Sequence, residues 1–147
     1  MQTITVERTI AAPIERVFDW CATTTNWQSS KWVLRNKLVM PGRAAPYGVG
    51  AVRLHTWLVG RFYERITSYD PPHSYRYIVD RGLPPSRHDG GSMTFTEVPG
   101  GTDVVWSTSV EVAVPIGADL ATRLIAKPML THVFGQILNS CARDLAG

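Results

Sequence analysis

Three side chains that could perform acid–base chemistry or anchor a polar group lie close together in the sequence. Arg53 and His55 are two residues apart in a strand-like run, 51–58, and Glu64 lies in the next such run, 61–69. Side chains at alternate positions of a strand share a face, so an antiparallel pair can gather all three on one surface. A carboxylate that faces an apolar cavity has its pKa raised by desolvation, which makes Glu64 a candidate general acid or base. The bland alternative is a pair between Arg53 and Glu64 on an exposed sheet face, with little energetic effect.

Large residues alternate along two further strand-like runs and would share the face that carries these polar groups. The residues in phase are Tyr75, Tyr77 and Val79 in run 74–80, and Val104, Trp106, Thr108, Val110 and Val112 in run 102–114. Apolar walls with a few polar groups are typical of a pocket for a small molecule. Rows of aromatic residues on strands are equally typical of cross-strand packing in a filled core, and the sequence leaves both interpretations open.

Other kinds of catalytic or metal site have little support in the sequence. Gly-x-Ser-x-Gly, the P-loop and the dinucleotide fingerprint do not occur in it. His73 and His132 lack metal-ligand spacing with each other or with a carboxylate, so neither a metal nor a cofactor is expected. His88 and Asp89 lie in the Gly-rich stretch 82–91, which predicts a solvated loop.

Composition and charge narrow the class of protein. The chain has 147 residues, 44% of them hydrophobic, and the length predicts a single domain over 1–147. Its net charge of +3 is small and scattered, so nucleic-acid binding is not expected. The N-terminus lacks the pattern of a signal peptide, and no apolar stretch is long enough to predict a transmembrane helix. Cys21 and Cys141 lie in apolar helical patterns, which favours reduced core thiols and a cytoplasmic location.

Turn signals divide the chain into a strand, a short helix, six further strands and a long helix. Pro13 predicts the start of the short helix, and the polar run 23–26 predicts its end. The predicted strands are 2–10, 32–40, 51–58, 61–69, 74–80, 92–98 and 102–114. Consecutive strands joined by tight turns indicate an antiparallel sheet.

The C-terminal part of the chain, from Ala118 onward, has apolar residues at helical spacing over nearly thirty residues. They are Leu120, Leu124, Leu130, Val133, Phe134, Ile137, Leu138, Cys141 and Leu145. Pro128 interrupts this pattern and predicts a kink. A long helix with an apolar stripe must bury it, and the sheet is the available surface. The predicted fold is therefore α+β: a curved seven-stranded antiparallel sheet wrapped around a long C-terminal helix, with one or two short helices after strand 1.

Several short motifs, in a fixed order, cover essentially the whole chain. They are VERTIAAPIERVFDW with Ala12-Pro13 at the helix start, Gly50-Ala51-Val52-Arg53, Tyr63-Glu64-Arg65-Ile66, Tyr69-Asp70-Pro71-Pro72, Tyr75-Arg76-Tyr77, and Gly101-Thr102 with Val105-Trp106. In content and order they resemble the START-like (SRPBCC) superfamily, and in particular its polyketide cyclase/dehydrase and lipid-transport group. The order of the motifs is more specific than any one of them.

The resemblance implies a helix-grip fold with a deep cavity between the sheet and the C-terminal helix. It implies ligands such as lipids, polyketides, sterols or plant-hormone-like acids. The resemblance also implies that six residues lie on faces that point into this cavity: Glu64, Trp106, Thr108, Val133, Ile137 and Cys141. The hairpin from Leu58 to Arg61 is shorter than the gate loop of the related hormone receptors, so a hormone-receptor role is not expected.

Three functions follow as hypotheses, and the first is that the chain binds or carries a small hydrophobic ligand. The expected cavity residues are Trp32, Arg53, His55, Trp57, Glu64, Tyr77, Phe95, Trp106, Thr108, Val133 and Ile137. Among them Arg53, His55 and Glu64 would anchor the polar end of the ligand. The sequence does not decide between a monomer and a homodimer.

The second hypothesis is a cyclase or dehydratase without a cofactor, and the third is a co-chaperone-like interaction protein. In the enzyme, His55 or Glu64 would move a proton and Arg53 would stabilise a developing enolate. The interaction protein would have a filled core and an exposed apolar patch, and exposure of Trp20, Leu58 or Tyr63 would distinguish it.

Overall fold

A computed structural model describes residues 1–146. Its centre is a seven-stranded antiparallel sheet with the strand order β1–β7–β6–β5–β4–β3–β2. The strands are β1 (Gln2–Ile10), β2 (Val33–Met40), β3 (Val52–Trp57), β4 (Gly60–Asp70), β5 (Ser74–Leu83), β6 (Ser86–Val98) and β7 (Gly101–Val112). From β2 to β7 each strand pairs with the next in sequence, and β1 closes the order beside β7. The predicted fold class and the number of strands are confirmed.

Two short helices follow β1, as predicted. The α-helix α1 (Ile14–Ala22) begins directly after Pro13 and has Glu15 in its first turn. A 3₁₀ helix (Thr24–Ser29) continues from it and carries Trp27, whose side chain is almost completely buried. The polar run 23–26 ends α1, as predicted: Thr23 is its C-cap, and the next three residues begin the 3₁₀ helix.

The C-terminal helix runs from Ala118 to Leu145 in three parts. They are α2 (Ala118–Ala121), a π-helical turn (Thr122–Ala126) and α3 (Lys127–Leu145). The interruption predicted at Pro128 thus takes the form of a wide turn that ends just before that residue.

The apolar stripe predicted along the C-terminal helix is buried only in its second part. The side chains from Val133 to Cys141 on the inner face of α3 pack against the sheet. Leu120 and Leu124, however, are 49% and 62% exposed. The prediction that they are buried is wrong, because they lie on or before the π turn, where the chain loses the regular helical phase.

The loop predicted between Gly82 and Gly91 is also wrong. β5 continues to Leu83 and β6 begins at Ser86, so strand residues occupy most of this stretch, although the two strands pair with each other only from Ser74–Tyr77 to Gly91–Thr94. Glycines made this stretch look irregular, but Gly91 serves a packing need: a Cβ there would overlap the ring of Tyr77 and the hydroxyl of Thr108. The absence of a side chain at this position lets these two residues meet across the inner face of the sheet.

No helix within residues 1–146 has an apolar stretch long enough to cross a membrane. Cys21 and Cys141 are free thiols buried where α1 meets α3. Burial and the nearby Cys141 thiol raise the pKa of Cys21. Both cysteines are therefore core residues, as predicted.

Candidate functional site

A buried charge cluster lies on the inner face of β3 and β4. The β3–β4 pairing sets Arg53 directly opposite Glu64, and His55 lies two residues along β3 on the same face. The Arg53 guanidinium donates from Nη2 to Glu64 Oε1 over 2.6 Å. His55 Nε2 lies 2.8 Å from the same oxygen, although the ring is turned so that neither of its nitrogens makes a well-aligned hydrogen bond. The three residues that alternation placed on one face thus meet at a single carboxylate oxygen.

Aromatic rings surround Arg53 and His55 and exclude water from these two side chains. The Arg53 side chain is completely buried, with its guanidinium carbon 5.1 Å from the ring centre of Tyr75 and 5.8 Å from that of Trp27. His55 stacks on Trp27 with 5.2 Å between ring centres and 9° between planes. The alternative of an exposed Arg53–Glu64 pair is therefore wrong.

The pKa of Glu64 differs from the value expected for a lone buried carboxyl. Burial raises it, as the sequence predicts, but the charges of His55 and Arg53 lower it by more, and the resulting pKa is about 2. Glu64 is thus ionised at neutral pH. It can accept a hydrogen bond or a proton, but it has no proton to donate as a general acid.

The lowered pKa of Glu64 makes the stability of the protein depend on acid pH. An unfolded glutamate titrates near pH 4.3. At every pH above that value, the interactions of ionised Glu64 therefore contribute fully to the free energy of unfolding. We expect this stabilisation to be lost as the pH falls from about 4.3 towards about 2. Urea unfolding at a series of pH values should show the decline, and it should be much smaller in Glu64→Gln. An equal decline in that variant would contradict the assignment.

A small cavity opens beside the cluster, between strands β3 to β7 and the inner face of α3. Its volume is about 40 Å³, enough for a few water molecules. Its lining is mostly apolar or aromatic and consists of Trp57, Phe62, Glu64, Tyr77, Val79, Ser86, His88, Thr108, Val110, Leu130 and Phe134. Trp57, Glu64, Tyr77 and Thr108 are thus the expected site residues that line it.

The other expected site residues lie close by but do not line this cavity. Arg53 and His55 lie behind Glu64 in the charge cluster, and Trp106 lies behind Phe134, stacked on its ring with 3.8 Å between centres. Phe95 packs against Phe18. Val133 and Ile137 are buried in the core, and Trp32 lies at its edge with its ring against that of His132. The Trp106–Phe134 stack fills much of the space in which a deep cavity was expected.

A hydrogen-bonded pair of hydroxyls forms part of the cavity wall. The Tyr77 hydroxyl accepts a hydrogen bond from Trp106 Nε1 over 2.7 Å and pairs closely with the Thr108 hydroxyl. Burial raises the pKa of Tyr77 far above its ordinary value, with the Glu64 charge adding to the effect. Tyr77 therefore stays protonated and serves as a hydrogen-bonding wall, not as a base.

His88 is the main site residue that the sequence interpretation missed. It was expected in a solvated loop, whereas it lies on β6, half buried, with its ring stacked on Tyr77 and its edge in the cavity. Alternation from Phe95 and Met93 could not locate it, because the β6–β7 register shifts between His88 and Gly91.

Comparisons with known proteins agree with this fold. The family described as polyketide cyclase/dehydrase and lipid transport matches residues 1–146. No curated protein matches the sequence. Among solved structures, the Thermus thermophilus protein TTHA0849 is 20% identical with a TM-score of 0.79, and the alignment covers 98% of this chain and 97% of that one.

Two further structures share the fold at similar distance. Protein Ms6760 of Mycobacterium smegmatis is 20% identical with a TM-score of 0.68, covering 99% of this chain and 91% of that one. Aha1 of Colwellia psychrerythraea, described as a dimer, is 17% identical with a TM-score of 0.66, covering 99% and 96%. With a family match over the described length and a helix-grip sheet around its C-terminal helix, the chain belongs to the polyketide cyclase/dehydrase and lipid transport family.

Proposed function

We propose that this protein binds a small, largely apolar molecule with one polar end in the cavity between β3–β7 and α3. The observation that carries the proposal is an ionised carboxylate, Glu64, at the wall of a cavity otherwise lined mainly by apolar and aromatic side chains. Such a combination of apolar walls and sparse polar anchors is typical of ligand sites. The family's description as cyclases, dehydrases and lipid-transport proteins agrees with it.

The cavity must enlarge before it can hold more than a few waters. Leu130 and Phe134 form its boundary on the helix side, and both belong to the first two turns of α3. The turns before them contact the sheet sparsely, and Thr122 is the buried residue of the π turn. We infer that a ligand enters beside Leu130 by displacing the Phe134 ring, which costs less here than deeper in the core.

The apolar side chains whose exposure would favour an interaction protein behave differently from one another. Trp20 is buried and donates to Asp144 over 3.1 Å, and Tyr63 is half buried under the guanidinium of Arg81. Leu58, by contrast, is 56% exposed. Single exposed apolar side chains are ordinary on protein surfaces. These three residues therefore support an interaction protein less well than the cavity supports ligand binding.

A titration with 2-naphthol, followed by ¹⁵N NMR, tests the proposal. We expect chemical-shift changes to concentrate on the amides of the cavity walls, Val79 and Val110 among them. Val110→Phe, which fills the cavity from β7, should weaken binding at least about tenfold. Val39→Phe is the matched control, because Val39 is 48% exposed on β2 and distant from the cavity.

Two results would overturn the proposal. One is a set of shift changes scattered over the surface, and the other is unchanged binding in Val110→Phe. Circular dichroism of that variant checks that it is folded, since overpacking a core position costs about 1 to 3 kcal/mol.

A further inference from the structure

The backbone around His88 fixes which of its ring nitrogens carries the hydrogen. The β5–β6 ladder pairs Ser74–Tyr77 with Gly91–Thr94 and extends no further. Beyond it, His88 Nδ1 accepts hydrogen bonds from the backbone N–H groups of Val79 (3.1 Å) and Gly90 (3.2 Å). A ring nitrogen that accepts carries no hydrogen, so the neutral imidazole has its hydrogen on Nε2.

His88 lines the cavity, and its Nε2–H group has no hydrogen-bond partner among the described residues. The atom is buried and makes no hydrogen bond within residues 1–146, while the residue itself lines the cavity. Burial lowers the pKa of His88, although the charges of Glu64 and Asp89 act in the opposite direction, so the ring is neutral at physiological pH. A buried donor without an acceptor costs free energy, and a ligand oxygen would remove that cost.

Glu64 supplies a matching acceptor on the other side of Val79. Val79 is paired with Glu64 across β4 and β5 and bonded to His88 across the gap to β6. The close contacts of Glu64 with Arg53 and His55 both use Oε1. Within the described residues no hydrogen bond uses Oε2, and Glu64 lines the cavity. Two lining residues at the polar end of the cavity thus keep an unused hydrogen-bonding atom: the donor His88 Nε2 and the acceptor Glu64 Oε2.

We propose that His88 and Glu64 select a ligand whose polar end is an uncharged hydroxyl: a phenol, an enol or an alcohol. This inference rests on the proposed function. A hydroxyl satisfies both groups, because its O–H donates to Glu64 Oε2 while its oxygen accepts from His88 Nε2–H. A ligand carboxylate has no hydrogen to donate and brings a second negative charge to the carboxylate of Glu64 in a poorly solvated site. Arg53 balances the Glu64 charge from behind and does not line the cavity, so it offers a ligand carboxylate no direct contact.

Three probes with one ring system separate selection at the polar end from apolar binding: naphthalene, 2-naphthol and 2-naphthoate. We expect 2-naphthol to bind most tightly and 2-naphthoate at least about tenfold more weakly. His88→Asn is the informative variant, because the Asn Oδ1 atom can replace Nδ1 as acceptor for Val79 and Gly90, while the amide nitrogen takes the position of Cδ2 and does not reach that of Nε2. It should weaken 2-naphthol about three- to tenfold and leave naphthalene unchanged.

The binding data distinguish failure of the hydroxyl selection from failure of the proposed ligand-binding function. If naphthalene and 2-naphthol bind equally and His88→Asn changes neither, the binding function stands and the selection is wrong. If 2-naphthoate binds best, the role of Glu64 as acceptor is wrong. If none of the probes binds, the proposed function and the selection fall together. The imidazole ¹⁵N spectrum tests the tautomer without any ligand, and a hydrogen on Nδ1 of His88 would overturn the inference directly.

Discussion

Glu64→Gln is expected to lower the free energy of unfolding by about 3 to 5 kcal/mol. The substitution removes the charge that balances Arg53, whose side chain is completely buried. A cation left unpaired in the core lowers the stability of the folded state by far more than the pair itself contributes. It has lost its hydration, and no opposite charge replaces that interaction. Urea unfolding at pH 7, followed by tryptophan fluorescence, measures the loss.

Arg65 and Asp80 provide the matched control, because they also pair across two strands but on the outer face. Arg65 Nε lies 3.1 Å from Asp80 Oδ2, and both side chains are nearly half exposed. Asp80→Asn should therefore change the free energy of unfolding little, because solvent screens an exposed ion pair. In the double variant Arg53→Met, Glu64→Met, the loss should be partly recovered, since neither charge is then buried. A Glu64→Gln loss as small as that of Asp80→Asn would mean that water reaches the cluster.

Phe134→Ala is expected to destabilise the protein by about 3 to 5 kcal/mol and, in the same step, to enlarge the cavity. The Phe134 ring is buried, lies face to face with Trp106 and forms the helix-side boundary of the cavity. Its removal leaves space that is continuous with the existing cavity. We therefore expect naphthalene to bind at least about tenfold more tightly than to the parent protein, as measured by calorimetry.

Phe18→Ala separates the two effects of that change. Phe18 is as buried as Phe134 but packs against Tyr69, Tyr75 and Phe95, away from the cavity. Its replacement should cost a similar amount of stability with no gain in naphthalene affinity. If Phe134→Ala binds naphthalene no better than Phe18→Ala does, the Phe134 ring is a core residue and not the obstacle to ligand entry.

Strand alternation predicted the charge cluster because its geometry depends only on backbone pairing. The register that sets Arg53 opposite Glu64 follows from a tight hairpin between β3 and β4, which the sequence shows at Gly60. Side-chain period two then fixes the shared face of Arg53 and His55. No rotamer had to be known for that prediction.

The size of the cavity could not be predicted in the same way, because it depends on which rings fill the space. Trp27, which had no place in the expected site, comes in from the 3₁₀ helix and stacks on His55. Phe134 takes the space in front of Trp106. His88 was missed for a different reason: its glycine neighbours indicated a loop, whereas they belong to an irregular strand. Period and turn chemistry predict pairing, but not the filling of an interior or a shifted register.

The π turn before Pro128 also bears on how this helix can change in length. A turn closed by i to i+5 bonds holds one residue more than an α-helical turn, while the helical segments on either side keep their own geometry. Loss of one residue between Thr122 and Ala126 would therefore restore a continuous α-helix, while α3 would keep its packing against the sheet. The segment can absorb a one-residue deletion that, within α3 itself, would rotate the residues on one side of it away from the sheet.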